Sequence, residues 1–306
     1  MQMRKIYIIY CAIVLPFFLT AQKRPPLGEL LIHSTSKLNC TYSEIDSNGS
    51  AVTYDGSGTA FYYTFLVDSF EIPCLVTNKH VIKDAVFGNF TVTKAGPDSL
   101  PSYGEWENLF VGDFENQWIL HPDPDVDLCI LPIAPYLTRM MKMGSSPYCI
   151  SVDQSIVPVD SIWNKFQVLE EVTMVGYPNG VHDEVNNVPI VRVGQTATPL
   201  KLPFNGREEF MLNIPSIPGS SGSPVFLFNE GTYITEGGIN FGSRMYFLGV
   251  LYAGPILNVS GRGSITIDNI PVSFHTSTGI TINLGMCIKS TEMDGFLPLL
   301  KKIVDD

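Results

Sequence analysis

A loop of small residues carries the serine that is best placed to act as a nucleophile. From Pro218 to Pro224 the chain reads Pro-Gly-Ser-Ser-Gly-Ser-Pro, and it continues directly into the apolar segment Val225–Phe228. A nucleophilic serine needs an Oγ that projects from the backbone, and small neighbours let main-chain N–H groups converge where a tetrahedral oxyanion would form. An ordinary Gly/Ser turn has the same composition. The loop alone therefore makes Ser221 a candidate only.

A histidine and an aspartate upstream could complete the chemistry. The apolar run Leu75–Thr77 leads to His80, and Asp127 directly precedes the apolar run Leu128–Leu131. Taken singly, the histidine would more often be structural and the aspartate a strand cap. Serine peptidases of the chymotrypsin type carry these groups in the chain order His, Asp, Ser, whereas other triad folds use other orders. The order here is His80, Asp127, Ser221, which favours acyl transfer by a catalytic triad.

The chain resembles the trypsin-like serine peptidase domain, of the bacterial type that is also found in the HtrA proteases. Three segments resemble the family patterns T-x-x-H-V, D-[IL]-A-[VL]-L and G-N-S-G-[GS]-P, and they are Thr77–Val81, Asp127–Leu131 and Gly219–Pro224. Flanking segments agree with the family, and they are Gly58–Phe61, Val175–Pro178 and Leu248–Tyr252. The resemblance spans roughly residues 50 to 290. We expect no PDZ module after it, because too little chain follows the nucleophile loop.

The resemblance implies an all-β fold of two six-stranded antiparallel β-barrels with the triad in the cleft between them. Ser221 would attack the scissile carbonyl, His80 would carry the proton, and Asp127 would orient the imidazole. The N–H groups of Gly219 and Ser221 would stabilise the oxyanion. The implied substrate is a polypeptide, and the implied mechanism needs no metal or organic cofactor.

Three positions depart from the family pattern without removing a reacting group. Ser220 stands where the family has Asn, Ser223 where Gly is common, and Cys129 where Ala is common. All three are exchanges between small residues. Because Ser220 carries no charge, we expect neutral hydrogen bonds, packing or the substrate to order the oxyanion loop. An activating cleavage that creates a new N-terminus is then not required.

The resemblance also bears on substrate preference. In the family, the residue six positions before the nucleophile lies at the base of the specificity pocket, and that residue is Pro215 here. A buried guanidinium without a carboxylate partner is costly. We therefore expect small or apolar residues before the cleaved bond, and not Arg or Lys.

The pattern of elements agrees with an all-β fold. Short runs rich in Val, Ile, Thr, Phe and Tyr alternate with turn residues every 8 to 12 positions or so. The predicted strands include Thr59–Val67, Cys74–Thr77, Phe90–Lys94, Leu128–Pro132, Glu171–Val175, Pro189–Val193, Glu209–Ile214, Pro224–Phe228, Phe247–Tyr252 and Ser264–Ile267. One helix is predicted near the end, where the leucines from Leu297 onward share a face. The expected divisions are a barrel over 22–160, a second barrel over 161–290 and a helix over 291–306, with a linker near Ser151–Lys165.

The first 21 residues read as a secretory signal peptide, with Arg4 and Lys5 before the apolar run Ile6–Leu19 and a small residue at Ala21. At about 14 residues the run falls short of the roughly 20 needed to span a bilayer. We expect a secreted or periplasmic protein, without a membrane span once the signal is removed.

Charge and cysteine content exclude some classes of function. Removal of Arg4 and Lys5 leaves 17 of the 19 basic residues against 30 acidic ones, a net charge of 17 − 30 = −13. Nucleic acid is therefore not an expected partner, because phosphate binding needs clustered Lys and Arg. The mature cysteines are odd in number and have no C-x-x-C spacing, so neither a zinc site nor a disulfide framework is indicated.

Two other functions remain open from the residues alone. A catalytically silent relative that binds peptides would keep the fold, although such relatives normally lack a triad member. A β-rich adhesive or carbohydrate-binding domain would have no reactive serine. An α/β-hydrolase esterase fits poorly, because Ser223 occupies the second glycine of Gly-x-Ser-x-Gly and alternating helices are not predicted.

Overall fold

A computed structural model describes residues 26–235, 237–267 and 270–305. The predicted all-β fold is confirmed, because most of the regular structure consists of strands in two large sheets. The predicted signal peptide lies outside the described residues. Among the residues described, no helix is long and apolar enough to cross a membrane.

The first sheet is built from the N-terminal half of the chain. Its strands are β1 (Thr35–Ile45), β2 (Ala51–Val67), β3 (Phe70–Thr77), β4 (Ala85–Ala95), β5 (Pro101–Val111), β6 (Ile119–Leu120), β7 (Cys129–Pro132), β8 (Pro147–Tyr148) and β9 (Val152–Asp153). The order is β5-β4-β1-β2-β3-β7-β6, with β8 on β4 and β9 parallel to β2. The sheet thus has nine strands and not the six expected for the first barrel. The two-residue strands β6, β8 and β9 are too short to show the period-two pattern of a strand.

The second sheet has the six strands that were expected. They are β10 (Glu171–Gly176), β11 (Ile190–Gln195), β12 (Glu209–Leu212), β13 (Pro224–Asn229), β16 (Arg244–Ala253) and β19 (Gly285–Lys289), in the order β11-β10-β13-β16-β19-β12. Two hairpins are inserted between these strands, β14 (Thr232–Thr235) with β15 (Gly238–Phe241) and β17 (Ile256–Ile267) with β18 (Ile270–Thr281). The strands of each hairpin pair with one another and not with either large sheet.

Helices lie between and after the strands. They are α1 (Leu27–Ile32), α2 (Lys79–Ile82), α3 (Ala134–Lys142), α4 (Asp160–Trp163) and α5 (Leu297–Asp305). The predicted C-terminal helix is α5, and a 3-10 helix over Ser290–Phe296 leads into it. The stretch expected to be a linker contains β9 and α4, and Trp163 at its end is buried in the core of the second sheet.

Alternation along the strands divides the apolar residues among three cores. On β2, Phe61, Tyr63 and Phe65 face a core shared with the second sheet, whereas Ala60 and Tyr62 face the interior of the first sheet. Successive side chains of a strand point to opposite faces, which explains the split. The second sheet contributes its own residues to the shared core, among them Val175, Phe226, Phe247, Val250 and Ile288. Because this core is continuous, it fixes the two sheets against one another.

The described cysteines form no disulfide bond. Cys40, Cys74, Cys129 and Cys287 are buried and Cys149 is half-buried. Burial raises the pKa of each thiol, to about 11 for Cys40 and Cys149. These side chains therefore act as small apolar core residues.

Candidate active site

Strand pairing brings His80 and Asp127 together. β3 and β7 are antiparallel neighbours with Thr77 opposite Cys129. His80 follows Thr77 by three residues and Asp127 precedes Cys129 by two, so both lie at the same end of this strand pair. The histidine lies in α2, a helix of one turn that begins at Lys79 shortly after the end of β3.

Asp127 holds His80 by two hydrogen bonds. Its Oδ2 lies 2.5 Å from His80 Nδ1, and its Oδ1 accepts the His80 backbone N–H at 3.1 Å. The Asp127 carbonyl accepts in turn from the Asn78 side-chain amide at 2.7 Å. The imidazole is about half exposed, at 47%. With Nδ1 directed at the carboxylate, the outer nitrogen Nε2 is free to exchange a proton with a reacting group.

The two neighbouring acids stay outside this arrangement. The Asp123 side chain accepts from the Asp125 backbone N–H at 2.9 Å, which closes a turn on the surface. Asp125 is 79% exposed and lies 3.9 Å from Arg207. Asp127 is thus the acid that contacts the histidine.

Two glycines with positive φ shape the loop around Ser221. Gly219 has φ +82° and Gly222 has φ +87°. A Cβ at Gly219 would lie 2.6 Å from the Tyr177 carbonyl oxygen, and one at Gly222 would overlap the Thr59 carbonyl oxygen. Both the backbone conformation and the close approach therefore require glycine.

The hydrogen bonds of the loop leave two N–H groups without a partner. From Gly219 to Ser223, the N–H groups of Ser220, Gly222 and Ser223 donate to carbonyls, whereas those of Gly219 and Ser221 have no partner among the described residues. Each of these two N–H groups shares a peptide plane with a carbonyl that already accepts a hydrogen bond. The Pro218 carbonyl accepts from Asn179 N at 2.6 Å, and the Ser220 carbonyl accepts from Ser223 N at 3.0 Å.

The direction of these two N–H groups follows from peptide geometry. In a trans peptide the N–H points away from the C=O of the same plane. The Pro218 and Ser220 carbonyls are fixed on their protein partners, so the Gly219 and Ser221 N–H groups point to the other side. Two free donors beside a serine are the arrangement that stabilises an oxyanion.

Thr59 on β2 ties this loop to the first sheet. Its N–H donates to the Ser221 carbonyl at 2.9 Å, and its Oγ1 donates to the Gly219 carbonyl at 2.9 Å. The Thr59 carbonyl accepts from Thr77 Oγ1 at 2.7 Å, at the end of the strand that leads to His80. One residue thus connects the serine loop with the histidine segment. The Ser221 Oγ itself contacts the Tyr252 carbonyl at 3.5 Å, and no hydrogen bond to His80 is present among the described residues.

Sequence reasoning missed three residues of this site, namely Thr59, Asn78 and Arg192. Thr59 lies in the segment that resembles the family, but nothing in the pattern assigns it contacts. Arg192 donates to Ser220 Oγ at 2.7 Å and to the Pro215 carbonyl at 3.0 Å. A charged donor therefore contacts the loop in addition to the neutral hydrogen bonds that were expected, because Ser220 accepts from a guanidinium. In the described part of the chain, no cluster of three or more His, Cys, Asp or Glu could hold a metal ion.

Comparison with known protein families shows which family this chain belongs to. The trypsin-like peptidase domain family matches residues 56–234, more than half of the chain. The chain therefore belongs to the trypsin-like peptidase family. No curated protein matches it in sequence.

Two solved structures are similar over most of the chain at low identity. The HtrA-type protease AlgW with a tripeptide is 15% identical, with a TM-score of 0.44, over 88% of this chain and 62% of that one. The chain thus spans less than two thirds of that protease. The scabies mite inactivated protease paralogue S-I1 is 10% identical, with a TM-score of 0.40, over 90% of this chain and 96% of that one.

Proposed function

We propose that this peptidase is a serine endopeptidase that works through Ser221, His80 and Asp127 by way of an acyl-enzyme. The observation that carries the proposal is the pair of unpartnered N–H groups at Gly219 and Ser221. Most backbone N–H groups in a protein have a hydrogen-bond partner, so two donors without a protein partner beside a serine hydroxyl are unusual for an ordinary turn.

The proposed reaction begins with proton transfer from the serine. For attack, the Ser221 hydroxyl leaves the Tyr252 carbonyl and donates to His80 Nε2, a contact that often tightens only when substrate binds. Ser221 Oγ then adds to the scissile carbonyl as His80 takes its proton, and the new oxyanion accepts from Gly219 and Ser221 N–H. His80 returns the proton to the leaving amine. Water repeats the sequence on the acyl-enzyme and releases the acid.

Asp127 supports this cycle through its two hydrogen bonds to His80. The bond to Nδ1 selects the tautomer whose Nε2 can accept the serine proton, and the carboxylate stabilises the imidazolium that forms. The bond from the His80 backbone N–H fixes the carboxylate against the turn of the helix.

A fluorophosphonate probe tests the proposal directly, because it phosphonylates a serine that a base has activated. We expect wild-type protein and an S43A control, which removes an exposed serine of β1, to be labelled, and S221A to remain unlabelled with an unchanged melting temperature. Peptide hydrolysis should fall in S221A to a few per cent of wild type or less. Labelling of S221A at the wild-type rate would show that another residue reacts.

The competing function is a silent, protease-fold protein that binds peptides. It predicts that neither wild type nor S43A is labelled, although both bind peptide. The presence of all three triad residues and of the two free donors favours the enzyme.

The proposal includes export, followed by removal of residues 1–21. A protein secreted by its source organism should then begin at Gln22, which N-terminal sequencing of the mature protein would reveal. A start at Met1 in the exported protein would contradict this part of the proposal without affecting the triad.

A further inference from the structure

Arg192 lies on β11 and faces inward, although alternation along the strand would be expected to place the valines inside and the arginine outside. Its neighbours Val191 and Val193 are 44% and 62% exposed. Arg192 pairs across the strands with Met174, which is buried inside the second sheet. Residues directly opposite in an antiparallel pair share a face. The arginine therefore occupies the side of the strand where an apolar residue is normally found.

The guanidinium contacts both ends of the segment that precedes the nucleophile. Nη1 donates to the Pro215 carbonyl at 3.0 Å and Nη2 donates to Ser220 Oγ at 2.7 Å. The third donor, Nε, is buried without a partner. These two contacts close the segment Pro215–Ser220 against the sheet, and Ser220 itself is fully buried.

No carboxylate of the described residues compensates this charge. Burial lowers the pKa of Arg192, and no acidic neighbour acts in the opposite direction. Arg192 is partly buried, and burying part of a cation without an acidic partner costs free energy. A device that costs stability is often kept for a function, which is the case we argue for this arginine.

We propose that Arg192 is a positioning residue that orders the oxyanion loop by clamping Pro215 and Ser220. The inference rests on the proposed function and names the residue on which its geometry depends. The link to chemistry is Ser220, whose carbonyl shares a peptide plane with the Ser221 N–H. A fixed Ser220 keeps that plane from turning, so the donor stays directed at the site of the oxyanion. Because a guanidinium is planar and always charged, it holds two acceptors at once, which lysine cannot do in the same geometry.

The test compares R192M with R139M, a matched control that removes an exposed arginine of α3. Loss of one oxyanion donor costs roughly 100- to 1,000-fold in kcat. A residue that only orders the donor should cost less, about 10- to 100-fold, with KM changed by less than about threefold. R139M should match wild type, and R192K should recover only part of the loss. With R192A, guanidinium ion at a non-denaturing concentration should restore part of kcat.

Further variants show whether a loss of activity in R192M comes from lost positioning or from misfolding. S220A removes the acceptor and keeps the volume of the loop, so it should lower kcat in the same direction. The double variant R192M/S220A should lose less than the product of the two single losses, because the two groups act through one contact. Circular dichroism and melting temperature then separate a loss of fold from a loss of positioning.

Several results would overturn the inference. One is an R192M variant whose kcat lies within about twofold of R139M. Another is a change confined to KM together with a changed preference before the cleaved bond, which would make Arg192 a substrate contact. A wild-type protein inert toward both fluorophosphonate and peptides would overturn the proposed function and this inference together. An active wild type with an unaffected R192M would overturn the inference alone.

Discussion

Thr59 contacts both the serine loop and the strand that leads to the histidine. Its hydroxyl donates to the Gly219 carbonyl and accepts from the Tyr177 N–H at 3.0 Å. Its backbone groups contact Ser221 and Thr77. The residue therefore sets the position of the serine loop relative to the strand that leads to the histidine.

The first prediction concerns that hydroxyl. T59V keeps the shape but leaves the Gly219 carbonyl and the Tyr177 N–H without their partner, at a cost of about 1–3 kcal/mol for each buried group. We expect a lower free energy of unfolding in denaturant and a kcat reduced more than KM. T59S keeps the hydroxyl and should stay close to wild type. Equal stability and activity in the two variants would contradict the role of the hydrogen bonds.

The second prediction distinguishes Asp127 from its neighbour Asp125. D127N removes the group that selects the imidazole tautomer, and by analogy with the known triad it should lower kcat by about four orders of magnitude. D125N is the matched control, because Asp125 is exposed and its carboxylate lies near Arg207 and not near His80. Steady-state kinetics on one peptide substrate decides the matter. An active D127N beside an impaired D125N would reverse the assignment.

At the scale of elements, the hairpin β17–β18 is the largest addition to the second sheet. Twelve residue pairs join its strands, from Ile256 opposite Thr281 to Ile267 opposite Ile270. It leaves the sheet after β16, whose end carries Tyr252, and it returns directly before β19. The side chains of Ile256, Leu257 and Ile280 are exposed, so the hairpin contributes little to the cores.

The third prediction is that the hairpin can be shortened without loss of the fold. Replacing Leu257–Ile280 by Asn-Gly joins the paired residues Ile256 and Thr281 by a two-residue turn of favoured type. Because a lone two-stranded hairpin is marginally stable, the free energy of unfolding should change by less than about 1 kcal/mol. Thermal melting measures the effect on stability, and fluorophosphonate labelling measures the effect on the reactivity of Ser221. A collapse of the melting transition would mean that the hairpin supports the sheet.

The strands that the sequence predicts are runs of four or more residues rich in β-branched and aromatic side chains and bounded by turn residues. All ten predicted runs overlap observed strands, and Glu209–Ile214 extends two residues past the end of β12. In β2 the run Gly58–Tyr63 is buried on both faces. The helix α3 was not predicted, because Tyr136 and Thr138 favour strands and only Met140 on it is fully buried. Strands of two residues have no period to detect.

The site was predictable only in part, for a different reason. The types and order of His80, Asp127 and Ser221 are local signals in the sequence. The clamp by Arg192 is not, because alternation in Ile190–Val193 suggests that the valines point inward and the arginine outward. The directions of the loop N–H groups depend on partners such as Asn179, which lies far from the loop in sequence.

At the scale of the whole molecule, the shared core joins the two sheets and the C-terminal helix. Phe61 of the first sheet contacts Phe247 of the second, with ring centroids 5.2 Å apart. Leu300 of α5 is fully buried in the same core. The segments that carry His80 and Ser221 are therefore held by packing between the two sheets.

The fourth prediction is that activity does not depend on a free N-terminus. The contact from Arg192 to Ser220 comes from within the chain, so no new terminus is needed to order the loop. Residues 22–306 with a permanent N-terminal tag should turn over peptide within about twofold of the untagged form. A tagged protein that becomes active only after removal of the tag would show that the terminus takes part in activation.

The five buried or half-buried thiols have a practical consequence. Their raised pKa values leave almost no thiolate near neutral pH, and thiolate is the form that reacts. We therefore expect residues 22–306 to fold in a reducing cytoplasm as well as in an oxidising compartment, which the melting temperature with and without a reducing agent would show. A single cysteine introduced on the surface, for example at Ser43, would be the fast-reacting thiol of the described chain. A fluorophore attached there could report on the protein without first removing the natural cysteines.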